Sequence, residues 1–232
     1  MMKKNGFTLA EVLITLAIIG VIATMTLPAL MTNTAEQQAK SGIKKGINTL
    51  TEAAQLSNAI DGFDYGSLVS ESTSDPDSQS MFGILAKRAA VDFQKTGQSD
   101  ATNATSGKRG LSTAASTSNY VVYFRDGSSL MFNPTTTTSS NTRMTNILAD
   151  GMPEGFTGIY DYNGDKKPNM VSNCQGTVAG LGSSDNDKQA SGNTLAEQCV
   201  PSKRVIKDQF GVRFRGAYVV PNGAAARWAF EN

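Results

Sequence analysis

From Phe7 to Met31 the chain is an apolar run of 25 residues with one charged side chain, Glu11. At about 1.5 Å per residue, a helix of this length crosses a bilayer. Lys3 and Lys4 precede the run, and the next charges are Glu36 and Lys40. Positive charge on the leading side keeps the N-terminus cytoplasmic and sends the bulk of the chain outside. A carboxylate in hydrocarbon costs about 2.5–3.5 kcal/mol on insertion scales, so Glu11 calls for a partner and a purpose. A cleaved secretory signal fits these residues poorly. The run is too long for an ordinary hydrophobic region, Glu11 interrupts it, and no small-x-small site closes it. On physical grounds alone the stretch reads as an N-terminal membrane anchor.

The order of residue types says more. Lys3-Lys4-Asn5-Gly6, then Phe7-Thr8-Leu9-Ala10-Glu11, then the stretch Leu13 to Ile22, resembles the prepilin leader of type IV pilins and type II secretion pseudopilins. The resemblance covers roughly residues 1–30. It implies that a membrane aspartate peptidase, the prepilin peptidase, cuts between Gly6 and Phe7 and methylates the new N-terminal Phe7. Glu11 then becomes the fifth residue of the cleaved chain. Gly20 and Pro28 fall where members of the family carry a helix-loosening glycine and a proline. Ala10 departs from the family, which commonly has isoleucine or valine there.

The residue types suit that chemistry. Gly6 lets a protease approach the backbone closely, and the leader's lysines hold the cut site at the cytoplasmic face. When a subunit leaves the bilayer for a filament core, Glu11 can pair with the freed N-terminal amine of a neighbouring subunit. Such a pair offsets two desolvation costs and fixes axial register. The resemblance also implies the partners: further copies and related pilins, the peptidase, an inner-membrane assembly platform and membrane lipid.

The helix should continue beyond the membrane. Ala39, Ile43, Ile47, Leu50 and Ala54 recur at helical spacing and make one apolar face. Glu36 and Lys40 form an i,i+4 pair. Pro28 removes a backbone donor, which predicts a kink, and Gly20, Gly42 and Gly46 weaken the helix locally. The expected organisation is a leader over 1–6, a transmembrane and filament-core helix over 7–31, an amphipathic continuation over 32–57, and an extracytoplasmic globular domain over 58–232. Length and this two-part pattern are what the pilin family uses.

Within the globular part, Asp75-Pro76 reads as an N-cap followed by proline at the first helical position. A short helix carrying Met81, Phe82, Leu85, Ala89 and Phe93 follows, with Gly97 as its stop. Gly97 to Asn119 reads as a surface loop. Tyr120 to Phe124 and Ser128 to Phe132 form a hairpin around Arg125-Asp126-Gly127. Asn133 to Asn141 is a polar loop. Strands are expected at Asn146 to Met152, Gly155 to Tyr162, Gln209 to Arg215 and Ala217 to Val220. Pro221-Asn222-Gly223 then turns into a last strand, Ala224 to Phe230. The fold class is α+β: a long N-terminal helix, hydrophobic then amphipathic, packed on a small antiparallel sheet in a pilin-like arrangement.

Asp161, Asn163 and Asp165 place side-chain oxygens at alternate positions, a spacing that suits calcium. Lys166 stands where an EF-hand needs glycine, and the twelfth position is Ser172 instead of glutamate. The other reading is a tight Asn-Gly turn capped by aspartates. Some pseudopilins bind calcium in a C-terminal loop, so both readings stay open.

Cys174 and Cys199 lie beyond the membrane segment. If they face an oxidising space they form a disulfide around Gln175 to Gln198, similar to the C-terminal loops of type IV pilins, which contributes about 3 kcal/mol by loop entropy. In a reducing exterior they are free thiols.

The chain has 232 residues, net charge +1 and no histidine. The commonest general base and metal ligand is therefore missing, and two cysteines alone make a poor zinc site. No serine has a histidine partner, and no glycine-rich stretch has the strand–glycine–helix context of a phosphate loop. Near-neutral charge gives no nucleic-acid footprint. The expectation is a structural, non-enzymatic filament subunit. Its rival is a membrane-anchored extracytoplasmic binding domain that never polymerises.

Overall fold

The computed structural model describes residues 8–94, 96–98, 120–133, 155–164, 166, 170–174 and 204–231. Helix α1 runs Leu9–Asp61 without interruption. The chain divides into two compact units, Met1–Gln38 and Ala39–Asn232.

In the first unit Leu9, Ile14, Leu16, Ile19 and Val21 are exposed, with no apolar partner among the described residues. Leu9–Leu27 is 19 residues with mean hydropathy 2.2, long and apolar enough to cross a membrane. Its hydroxyls are satisfied from within: Thr15 donates to the Val12 carbonyl (2.9 Å), Thr24 to Val21 (2.8 Å) and Thr26 to Ile22 (3.1 Å). Hydrocarbon offers no hydrogen bonds, so this back-bonding is what permits threonine there.

The second unit is built on the α1 stripe. Ala39, Ile43, Ile47, Leu50 and Ala54 are all buried, as their spacing predicts. They meet a six-stranded antiparallel sheet in the order β1-β2-β3-β4-β7-β8. Its strands are β1 Gly97–Gln98, β2 Tyr120–Tyr123, β3 Ser129–Phe132, β4 Phe156–Asp161, β7 Gln209–Arg215 and β8 Tyr218–Asn222. A separate ribbon pairs β5 Asn173–Cys174 with β6 Arg204–Val205. The α+β class and the helix-on-sheet arrangement stand as expected.

Alternation divides the sheet's residues between its faces. Leu130, Phe132, Phe156, Tyr160, Phe210, Val212 and Phe214 join the stripe in the main core. Val121, Tyr123, Met131 and Ile159 form a second apolar cluster on the opposite face. In the main core Tyr65 packs edge-on against Phe214, with centroids 4.9 Å apart, and donates its hydroxyl to the Leu50 carbonyl at 3.0 Å. At the β8 edge, the Val219 N–H donates to the Thr51 hydroxyl (3.2 Å) and Pro221 has no N–H to offer. That edge is tied to α1, which protects it from pairing with another strand.

Several local expectations are corrected. Helix α1 ends at Asp61, not Ser57, and Gly62 stops it with a positive φ of 77°. The second helix, α2, spans Met81–Arg88 and starts from Ser80, whose hydroxyl accepts from the Gly83 N–H at 3.0 Å. Asp75 instead closes a turn by accepting from the Asp77 N–H (2.9 Å). Two capping signals compete within five residues, and the one adjacent to the apolar run wins. Ala89 is already extended, Val91 bridges Phe124, and Phe93 lies outside the helix. Gly97 opens β1 instead of a loop.

Pro221 and Asn222 still belong to β8. The final segment is a helix, α3 (Ala224–Glu231), not a strand. Its three leading alanines have the best helix propensity, and Ala224, Ala225, Ala226 and Ala229 bury one face. The strand expected at Asn146 to Met152 and the body of the loops at 99–119 and 134–141 lie outside the described residues.

Candidate assembly segment and the Asp161 turn

Thr8, Leu9, Ala10 and Glu11 begin the membrane-length helix with a reciprocal cap. The Thr8 N–H donates to Glu11 Oε2 at 2.8 Å, and the Thr8 hydroxyl donates to the same oxygen at 2.9 Å. In return the Glu11 N–H donates to Thr8 Oγ1 at 3.3 Å. The first helical bond runs from the Val12 N–H to the Thr8 carbonyl. This is a capping box, with threonine at the cap and glutamate three residues on. The only acid of the apolar run is thus held by donors of its own first turn, where the helix dipole also favours negative charge. The sequence signal for this cap is Thr8-x-x-Glu11, which the pairing of Glu11 with a neighbour's amine does not call on.

Other expected site residues are placed less fully. Gly6 and Phe7 lie outside the described residues. Gly20 has open space where a β-carbon would be. Pro28 sits within α1. Cys174 ends β5, while Cys199 lies outside the described residues, and with it the expected disulfide.

The Asp161 segment is a capped turn among the described residues. Asp161 Oδ1 accepts from the N–H groups of Asn163 (3.0 Å) and Gly164 (2.9 Å), and Oδ2 accepts from Gln209 Nε2 (3.0 Å). Gly164 adopts a positive φ of 65°. The Asn163 amide donates to Asp208 Oδ2 at 3.3 Å, and Asp208 Oδ1 accepts from the Met170 N–H at 2.8 Å. Burial pushes the Asp161 carboxyl up to about 7, against the bonds from Gln209, Asn163 and Gly164, while the nearby Asp208 charge adds to the rise. Asp165, the third residue of the candidate calcium set, lies outside the described residues. Asp208 and Gln209 sit 45 or more positions away in sequence and meet the turn through β4–β7 pairing, which spacing alone does not reveal.

A cleft of about 240 Å³ lies between α1 and the β2–β3 turn, walled by Leu50, Phe124 and Tyr160. The Lys45–Asp126 ion pair, at 2.7 Å, stands at its lining. Among the described residues no group of three acidic or cysteine side chains gathers in a metal-holding cluster.

Residues 1–27 match the family model described as the prokaryotic N-terminal methylation motif. The chain carries a prepilin-type segment. This segment contains Gly6, Phe7, the Thr8–Glu11 cap and Gly20, and it overlaps the membrane-length stretch Leu9–Leu27. Together the prepilin-type segment and its apolar helix support membrane anchoring by one N-terminal helix, and they point to a structural subunit. No curated protein matches the chain, and no solved structure does.

Proposed function

We propose that the chain is a pilin or pseudopilin, the structural subunit of a type II secretion or type IV pilus-like filament. It is inserted with its N-terminus in the cytoplasm and its globular part outside. The prepilin peptidase cuts after Gly6 and methylates Phe7. Subunits then polymerise through the N-terminal helix, with Glu11 of one copy pairing with the Phe7 amine of another.

One observation carries this reading: the single acid of an otherwise apolar helix sits inside the matched methylation motif. Three hydrogen bonds of 2.8–3.3 Å join it to Thr8. The cap gives the carboxylate donors while the subunit waits in lipid, and a neighbour's ammonium is the stronger partner that assembly supplies. The test is Glu11→Ala in the producing cell. The variant should be processed as the parent is and yield few sheared filaments; a parental filament yield would contradict the proposal.

A further inference from the structure

The second unit is polarised in charge along α1. At its start the indole of Trp228, on α3, gathers two cations: Lys40 Nζ lies 4.3 Å from the ring centroid and the Arg204 guanidinium 3.6 Å. Lys44 follows Lys40 one turn along α1, and Arg227 precedes Trp228. Glu231 is the one acid of α3. At the other end the balance reverses. Between Ile60 and Ala86 the chain has five acids, Asp61, Asp64, Glu71, Asp75 and Asp77, and no lysine or arginine. Arg88 pairs with Asp61 at 2.7 Å and Lys87 with Asp77 at 2.9 Å. Asp64 has no basic partner among the described residues: its Oδ1 accepts from the Gly66 N–H (2.8 Å). Among the described residues Asp75 Oδ1 accepts from the Asp77 N–H of its own turn, with no ion pair.

Lys40 and Asp61 are 21 residues apart on one helix, about 32 Å at helical rise. The β7–β8 hairpin runs between the same two ends. Its turn at Gly216 lies beside Asp64, Val219 is tied to Thr51 midway, and β8 then leads into α3 beside Lys40. Aromatic and cationic groups therefore stand at one end and uncompensated carboxylates at the other.

We propose that these ends meet between copies: the Lys40–Arg204–Trp228 end of one globular unit docks on the Asp64–Asp75 end of the next. The occupant of each surface is thus a second copy of this chain. Such a contact joins two different patches head to tail, so it propagates instead of closing as a symmetric dimer does. Complementary charge at both ends steers the encounter and sets register, and like ends repel. The proposal rests on the filament reading and adds to it a second contact, made by the globular units.

The test uses the full chain in its producing cell. Lys40→Glu and Asp64→Lys are made singly and together, and sheared filaments are measured with a thermal melt of each variant in detergent. Each single reversal should lower filament yield about tenfold, and the double reversal should return it to within about twofold of the parent. Singles at parental yield, or a double no better than the singles, would overturn the contact. A loss from Lys40→Glu without one from Asp64→Lys would also overturn it and point to lipid headgroups at the basic end. Should a reversal fail to fold, Lys40→Gln and Asp64→Asn replace them. Each neutral change should then flatten the dependence of filament yield on salt, and an unchanged dependence counts against the contact. A parent that forms no filament defeats the filament reading itself, and this contact with it.

Discussion

Gly46 on α1 lies against the ring of Tyr160 on β4 so closely that a β-carbon on residue 46 would fall among the ring's own atoms. One turn earlier, a β-carbon on Gly42 would lie 2.5 Å from Tyr162. Glycines that look like weak points of a helix are thus the places where α1 settles onto the sheet. Their cost in helix propensity, about 1 kcal/mol each against alanine, is set against two aromatic contacts.

Gly46→Ala should destabilise the globular unit by about 1–3 kcal/mol, because the buried Tyr160 ring must leave its packed position to admit the methyl group. Gly42→Ala should cost less, since Tyr162 is only half-buried and its ring can swing outward. Urea unfolding of both variants checks the order. Equal or greater loss at Gly42 would show that the Tyr160 contact does not limit the approach of the helix.

The Thr8 cap makes a separate prediction. Thr8→Val removes the hydroxyl that donates to Glu11 and caps the Glu11 N–H, and caps of this kind contribute about 1 kcal/mol. Filament yield should fall in Thr8→Val and return in Thr8→Ser, which keeps the hydroxyl. A Thr8→Ser variant as poor as Thr8→Val would mean that the methyl group matters instead.

Asp126 predicts a pH dependence. Partial burial raises its carboxyl, but the bonds from Lys45 and Ser128 and the Lys45 charge outweigh this and hold it below the ordinary range. A carboxyl depressed in the folded state adds stability above the unfolded pKa, and that stability is lost as pH falls through the folded value. Lys45→Met should therefore cost stability near about pH 7, and the cost should shrink as the pH falls through the folded value. Because both side chains are substantially exposed, the difference should stay below about 1 kcal/mol. A deficit that persists in acid would assign it to lost packing of the lysine stem.

At the Asp161 turn both carboxylate oxygens are engaged by internal donors. The melting temperature should accordingly be the same in millimolar calcium and in EDTA. A rise with calcium would assign Asp161, Asn163 and Asp165 to a metal after all. Asp161→Asn separates the two readings, since it abolishes a calcium response only if the carboxylate is a ligand.

Much of this was legible in the residues. Ala39, Ile43, Ile47, Leu50 and Ala54 sit on a long helix, where a 3.6-residue period has room to declare itself, and all are buried. The Arg125-Asp126-Gly127 turn was equally plain, because Gly127 supplies the positive φ of 90°. Short elements were harder to read. Ala224 to Glu231 is eight residues, too few for a period, and the aromatic pair Trp228 and Phe230 suggested a strand while the alanines make a helix. Asp208 and Gln209 could not be joined to Asp161 from spacing, because that meeting is a property of strand register. In the assembly segment the reciprocal bonding of Thr8 and Glu11 has its trace in the Thr8-x-x-Glu11 spacing, but a lone acid in an apolar run shows its charge before its place in a cap.

The central claim is that the N-terminal segment is processed and built into a filament. The most direct measurement is the N-terminal peptide mass of the protein isolated from its producing cell, taken from the sheared filament fraction and from the membrane fraction. The account predicts a chain that begins at Phe7 and carries one methyl group on its amine. A chain that begins at Met1 with Gly6–Phe7 intact, found only in the membrane fraction, would contradict it.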